Sequence, residues 1–295
     1  MEKLFYREDF TLRNDYAFKK IFGRNNSDCD KIRARFLSLI LKIKEDNFKD
    51  LTLKNPMIDG KYIENRTGVL DIKLTLKNGE KISIEMQNIW HDYYEERSIY
   101  YLSTRYIEEF NKGEEYDKLN KCIGIHILND RVKAADNIHS IFKMLNVKTY
   151  VQYTDLLEMH FLDLTRLDEN KKDLSELERW LLFIRTNNQG LRNELSKEDK
   201  IMSTANIMMK EFISDEKERL MYEASFREEC ERASLLASGK RAGIKEGQLE
   251  GRREGRREGV REASLEIAKK LKNNDSPISF IVEVTGLSKE EVERL

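Results

Sequence analysis

Residues 68–87 read GVLDIKLTLKNGEKISIEMQ, two stretches of alternating apolar and polar residues broken once at Asn78-Gly79. Alternation with a period of two is the mark of a strand, and an Asn-Gly pair between two such runs marks a hairpin. Leu70, Ile72, Leu74 and Leu76 point one way on the first strand, with Asp71, Lys73 and Thr75 the other way. On the second strand Ile82, Ile84 and Met86 oppose Lys81, Ser83, Glu85 and Gln87.

Register decides what these faces mean, because a slip of one residue exchanges them. A two-residue turn at Asn78-Gly79 sets Ile72 opposite Glu85 and mixes apolar with charged residues on both faces. A three-residue loop over 77–79, with Gly79 in a left-handed conformation, sets Ile72 opposite Ile84 and Asp71 opposite Glu85. The apolar pattern selects the second. Two carboxylates facing one another across a strand pair, about 5 Å apart, repel unless a cation or proton lies between them. Their hard oxygen donors suit Mg²⁺ or Mn²⁺. The same spacing also fits the solvated polar face of a half-exposed hairpin.

Working outward, TLRNDYAFKKIF over 11–22 has helical spacing and stops at Gly23, and DCDKIRARFLSLILKI over 28–43 has it again, with Lys31, Arg33 and Arg35 on its other face. Residues 91–109 predict a helix with Tyr94, Arg97, Tyr101, Arg105 and Glu108 along one side. KCIGIHIL from Lys121 and MHFLDLT from Met159 look like buried strands. The alternation of strands and helices through about residue 185 predicts an α/β fold, a mixed sheet flanked by helices, and the chain beyond it reads as mostly helical.

Gly239, Gly243, Gly247, Gly251, Gly255 and Gly259 recur every fourth residue among Lys, Arg and Glu. Each glycine costs a helix about 1 kcal/mol relative to alanine, so the segment reads either as a partly helical solvated tether or as a helix whose small-residue stripe packs on a partner. Beyond it, Ser288 followed by Glu291 predicts a capping box on a short last helix, and the closing helices resemble half of a helix-turn-helix.

Lys+Arg 53 and Asp+Glu 54 nearly cancel in 295 residues, so a polyanionic partner must be met by a local surface. Cys29, Cys122 and Cys230 are too few and too far apart for a disulfide framework and fit a reducing, cytoplasmic setting. No apolar run approaches a membrane span or a secretory leader. His91, His126, His139 and His160 have no zinc-ligand spacing, and neither an HExxH helix nor a GxxxxGK[ST] loop occurs.

NDYAFKKIFG over 14–23, GVLDIKL over 68–74, the hairpin, IEMQ over 84–87 and the following Tyr-rich helix with Arg97 together resemble the recombination-promoting nuclease and transposase family, a branch of the PD-(D/E)XK nuclease superfamily. The resemblance covers roughly residues 11–235, and the Gly-repeat tail with its IAKKL segment is similar to that of family members. It implies a restriction-endonuclease-like domain over 1–235, a Gly-repeat charged helix or tether over 236–263 and a small helical segment over 264–295.

The resemblance further implies that Asp71 and Glu85 are metal ligands with Asp15 assisting, and that the reaction is Mg²⁺- or Mn²⁺-dependent hydrolysis of DNA, linked to recombination or mobile elements. Gln87 stands where the name-giving lysine is expected, and an amide offers hydrogen bonds where an ammonium offers charge. Lys73, on the face of Asp71, is a candidate replacement. Lys19, Lys20, Arg24, Arg97, Arg105, Tyr100 and Tyr101 are candidate DNA contacts. The rival expectation is a DNA-binding or regulatory protein that keeps the fold without useful catalysis. Self-association through the Gly repeat is expected in either case.

Overall fold

The computed structural model describes residues 10–54, 72–88, 93–131 and 135–295. It divides into two compact units, 1–229 and 230–295. The first unit is built on a six-stranded mixed sheet of order β1-β2-β3-β4-β6-β5, comprising β1 (Thr52–Leu53), β2 (Ile72–Thr75), β3 (Lys81–Gln87), β4 (Cys122–Leu128), β5 (His139–Leu145) and β6 (Gln152–Asp163). β3, β4 and β6 run parallel, while β1, β2 and β5 add antiparallel edges.

The β2–β3 register is the one the apolar pattern selects: Ile72 pairs with Ile84, Leu74 with Ile82 and Thr75 with Lys81. The loop closes through Gly79 at φ +87, donating its N–H to the Leu76 carbonyl at 2.9 Å. A Cβ there would come within 2.7 Å of Asn120 Nδ2, which could shift, so it is the positive φ that requires glycine.

One sheet face carries Ile72, Leu74, Ile82, Ile84, Met86, Ile123, Ile125 and Ile127 into the main core. Helices α1 (Asp15–Phe22), α2 (Ser27–Leu41), α4 (Glu176–Arg185) and α6 (Lys200–Ser214) supply the rest of that core through Phe18, Phe22, Phe36, Trp180 and Phe212. α1 starts later than its periodicity predicts, because the Asn14 side chain accepts from the N–H groups of Tyr16 and Ala17 and so caps it at Asp15. Arg33, expected on the outer face of α2, is fully buried and donates to the carbonyls of Phe22 (2.6 Å) and Arg24 (2.8 Å), closing the end of α1.

The opposite face is not solvated. α3 (Tyr94–Ile107) lies across β3 and β4 and buries Lys81, Ser83 and Glu85, which the alternation alone left equally readable as a polar surface. β5 was not legible in the sequence, since both its faces are largely exposed.

α5 (Gln189–Leu195) completes the helical layer, and α7 (Glu216–Asn273) begins in the first unit, where the Tyr222 hydroxyl accepts from the Thr11 N–H at 3.1 Å. In the second unit α7 is continuous through the Gly repeat, and Ala268 packs with Ile281 of α8 (Ile278–Thr285), with Leu287, and with Val292 of α9 (Lys289–Glu293). The Ser288–Glu291 capping box is present. No described helix is long and apolar enough to cross a membrane.

Candidate active site

The parallel register sets Glu85 beside His126 and His126 beside Phe161, all on the α3 side of the sheet. Glu85 is 4% exposed, and burial of a carboxylate is costly unless a positive group and hydrogen bonds answer it. Arg97 provides the charge: its Nη2 donates to Glu85 Oε1 at 2.7 Å, while the guanidinium lies 5.3 Å from the ring centre of Tyr101. Arg97 sits one turn into α3, close enough to reach down to the strand.

His126, 2% exposed, faces the second oxygen of Glu85, its Nδ1 standing 3.4 Å from Oε2 and 2.9 Å from the Tyr94 hydroxyl. Its ring stacks on Phe161 with centroids 4.9 Å apart. Gly124 makes this possible, because a Cβ there would approach His126 Nε2 to 3.1 Å. Tyr94 and His126 were not singled out as site residues in the sequence, although a lone imidazole inside the apolar run KCIGIHIL was the available signal.

Gln87, half-buried, ends β3 on the same face as Glu85, and its carbonyl accepts from the Asn129 N–H at 2.9 Å. The next residue, Asn88, donates its side-chain amide to the Arg13 carbonyl, which brings the approach to α1 against this strand end. Asp15 opens α1 and pairs with Lys19 at 3.1 Å. Asp71 lies outside the described residues. Among the described residues no group of three acidic, His or Cys side chains comes together in a way that would hold a metal ion.

Several candidate DNA contacts also have partners within the fold. Arg105 is 2% exposed and donates to Glu108, to the Leu74 carbonyl (2.9 Å) and to Thr75 Oγ1 (3.0 Å), so it pins α3 to β2. Lys20 is buried against Glu218 of α7. Lys73 pairs with Glu108 at 3.1 Å. Tyr100 is exposed and Tyr101 half-buried.

A family model described as PD-(D/E)XK nuclease family transposase matches residues 12–239. The chain belongs to that family. Comparison with curated proteins and with solved structures found no match. As a member of the PD-(D/E)XK nuclease family transposases, the chain has the mixed sheet flanked by helices that this nuclease fold requires. The family also raises the question of a divalent metal ion, and the donor chemistry at Glu85 fits one. Glu85 and Gln87 present only oxygen acceptors and an amide, and the guanidinium on Glu85 stands where a compensating cation is needed.

Proposed function

We propose that the chain is a metal-dependent DNA endonuclease whose hydrolytic site centres on Glu85, with Asp71 as the second ligand, Asp15 assisting and Gln87 completing the strand end. The observation that carries this reading is Glu85 buried on an interior strand beneath the half-exposed guanidinium of Arg97, on the face that also carries Gln87.

Mg²⁺ or Mn²⁺ bound there would stabilise the charge developing on the phosphate and lower the pKa of an attacking water. Glu85 and Asp71 would hold that ion. Gln87 hydrogen-bonds the water or a phosphate oxygen, orienting the nucleophile without the charge a lysine would add. His126, bonded to the Tyr94 hydroxyl and stacked on Phe161, closes the side of Glu85 away from Arg97. Lys73, Lys19, Arg97 and Tyr101 are the candidate DNA contacts, with basic groups meeting phosphates and Tyr101 stacking or hydrogen-bonding.

The test is conversion of supercoiled plasmid by the purified chain in Mg²⁺, Mn²⁺ or EDTA. Cleavage that needs metal and falls at least a hundredfold in Asp71→Ala supports the assignment, and metal-independent cleavage contradicts it. Gln87 favours a second reading, a DNA-binding or regulatory protein of the same fold without useful turnover. Wild type that binds duplex but never nicks it would establish that alternative.

We assign the segments after residue 235 to assembly, in a chain working in the cytoplasm. A Cβ added at Gly239, Gly243, Gly247, Gly251, Gly255 or Gly259 would meet nothing within 4 Å, so the stripe is open to a second copy. Deleting residues from Gly239 onward should lower the mass seen by light scattering, and an unchanged mass counts against this role. Buried thiols at Cys29 and Cys122, neither in a disulfide, accord with a reducing compartment.

A further inference from the structure

α3 sends two arginines into the same sheet face, and their anchorage differs. Arg105 is fixed by a carbonyl, a hydroxyl and a carboxylate, with its side chain 1% exposed. Arg97 has its side chain 32% exposed and one ion pair, Nη2 to Glu85 Oε1 at 2.7 Å. Its Nε, like that of Arg105, donates to nothing among the described residues, so the difference lies in exposure and in the bonds of the terminal nitrogens. A guanidinium carries five N–H donors, so Arg97 is held by its charge attraction to Glu85 and by the face of Tyr101, 5.3 Å away, far more than by a completed hydrogen-bond set. Of the two, Arg97 is built to let go.

A divalent ion and a guanidinium drawn to one buried carboxylate oppose one another strongly. We propose that Arg97 is the resting counter-cation of Glu85, displaced when a divalent metal ion binds there, and that the released guanidinium then engages a DNA phosphate. This rests on the metal-dependent nuclease reading. Metal entry is thereby coupled to substrate binding, because the guanidinium that leaves the carboxylate stays tethered to α3. Planar guanidinium groups are well suited to phosphate oxygens, and Arg97 already lies over an aromatic ring at the rim.

The coupling predicts two effects of opposite sign from one substitution. Arg97→Gln removes the competitor, so Mn²⁺ should bind about tenfold more tightly, the low end of what an opposite charge at this range does to a carboxylate equilibrium. It also removes a phosphate contact, so duplex DNA should bind more weakly and the slope of log affinity against log salt should shrink by about one. Arg97→Lys, which keeps the charge without the fork, should fall between wild type and Arg97→Gln in Mn²⁺ affinity.

The experiment is calorimetric titration of the full chain with Mn²⁺, and fluorescence anisotropy of a short labelled duplex across a salt series, for wild type, Arg97→Gln, Arg97→Lys and Glu85→Ala. Tighter Mn²⁺ with weaker, less salt-sensitive DNA binding in Arg97→Gln is the expected result. Unchanged or weaker Mn²⁺ binding in that variant overturns the proposal, since Arg97 would then be a support for Glu85 or irrelevant to it. If Arg97→Gln does not fold, the Arg97→Lys affinity decides, and no gain over wild type overturns it. Glu85→Ala separates the two levels. Loss of Mn²⁺ in Glu85→Ala with no gain in Arg97→Gln leaves the nuclease reading standing and ends the exchange, whereas full Mn²⁺ binding in Glu85→Ala ends both.

Discussion

The sheet buries two glutamates, Glu85 on β3 and Glu158 on β6, on opposite faces, and the protein treats them differently. Glu158 accepts from His160 Nε2 at 2.8 Å and pairs with Lys121 at 2.8 Å and Lys143 at 3.4 Å, while His139 Nε2 meets His160 Nδ1 at 2.8 Å. The lysines and His160 reach it from the sheet's own strands and their ends. Arg97 reaches Glu85 from a helix that crosses the sheet, its Nη2 donating to Oε1 at 2.7 Å. A carboxylate held by lysines and a histidine of its own sheet behaves as part of the scaffold, whereas one met by a half-exposed guanidinium from a covering helix can exchange it for another cation. Burial alone therefore does not distinguish structure from function, but the anchorage of the compensating cation does.

The largest stability effect should fall on the scaffold carboxylate. Glu158→Gln leaves two lysines without their carboxylate and should cost about 3 kcal/mol, read as a fall in urea midpoint with unchanged slope. Glu85→Gln should stay within about 1 kcal/mol of wild type, since sites kept for chemistry are rarely optimised for stability. Equal losses in the two variants would erase the comparison.

Acidification offers a second probe of the Glu158 side. Burial, with the nearby His160 and Lys42, pushes His139 down to about 4 from its ordinary 6.5, and burial lowers His160 as well, against the pull of Glu158. Burial raises Glu158, but hydrogen bonds from Lys121 and His160 outweigh it and hold the carboxyl below its usual range. Between pH 6.5 and about 4 the unfolded chain binds a proton that native His139 refuses, so stability is complete above that window and drains away as pH falls through it. The depressed Glu158 acts in the same direction at lower pH. Urea midpoints measured down the pH scale should fall through this window in wild type and fall less in His139→Gln, and parallel curves would contradict the assignment.

The smallest effect concerns the hairpin that carries Glu85. Gly79→Ala must adopt φ +87 and crowd Asn120, which should cost about 1–2 kcal/mol without altering the β2–β3 register. A variant as stable as wild type would mean that the loop relaxes freely.

The hairpin was legible because strand alternation and the Asn78-Gly79 pair constrain one another, and only one register satisfies both. That register sets Glu85 and Gln87 on one face before any tertiary contact is known. What covers that face was not legible, because alternation records which side is apolar and says nothing about a helix that later closes over the polar side. The same blindness hid Arg33 and Arg105, cations read as surface that in fact fill carbonyl-lined sockets between elements. β5 escaped because an edge strand exposed on both faces leaves no period in the sequence. Asn14 shows the reverse case, a cap residue adjacent to an acid at the head of α1 that could have set the helix start.

The most direct test of the account is plasmid nicking in Mg²⁺ by Glu85→Gln and Glu158→Gln side by side, each confirmed folded by its urea transition. The account predicts that Glu85→Gln loses at least a hundredfold of the rate while Glu158→Gln, though less stable, cleaves like wild type. Cleavage that survives in Glu85→Gln and fails in Glu158→Gln would move the active site to the other face of the sheet.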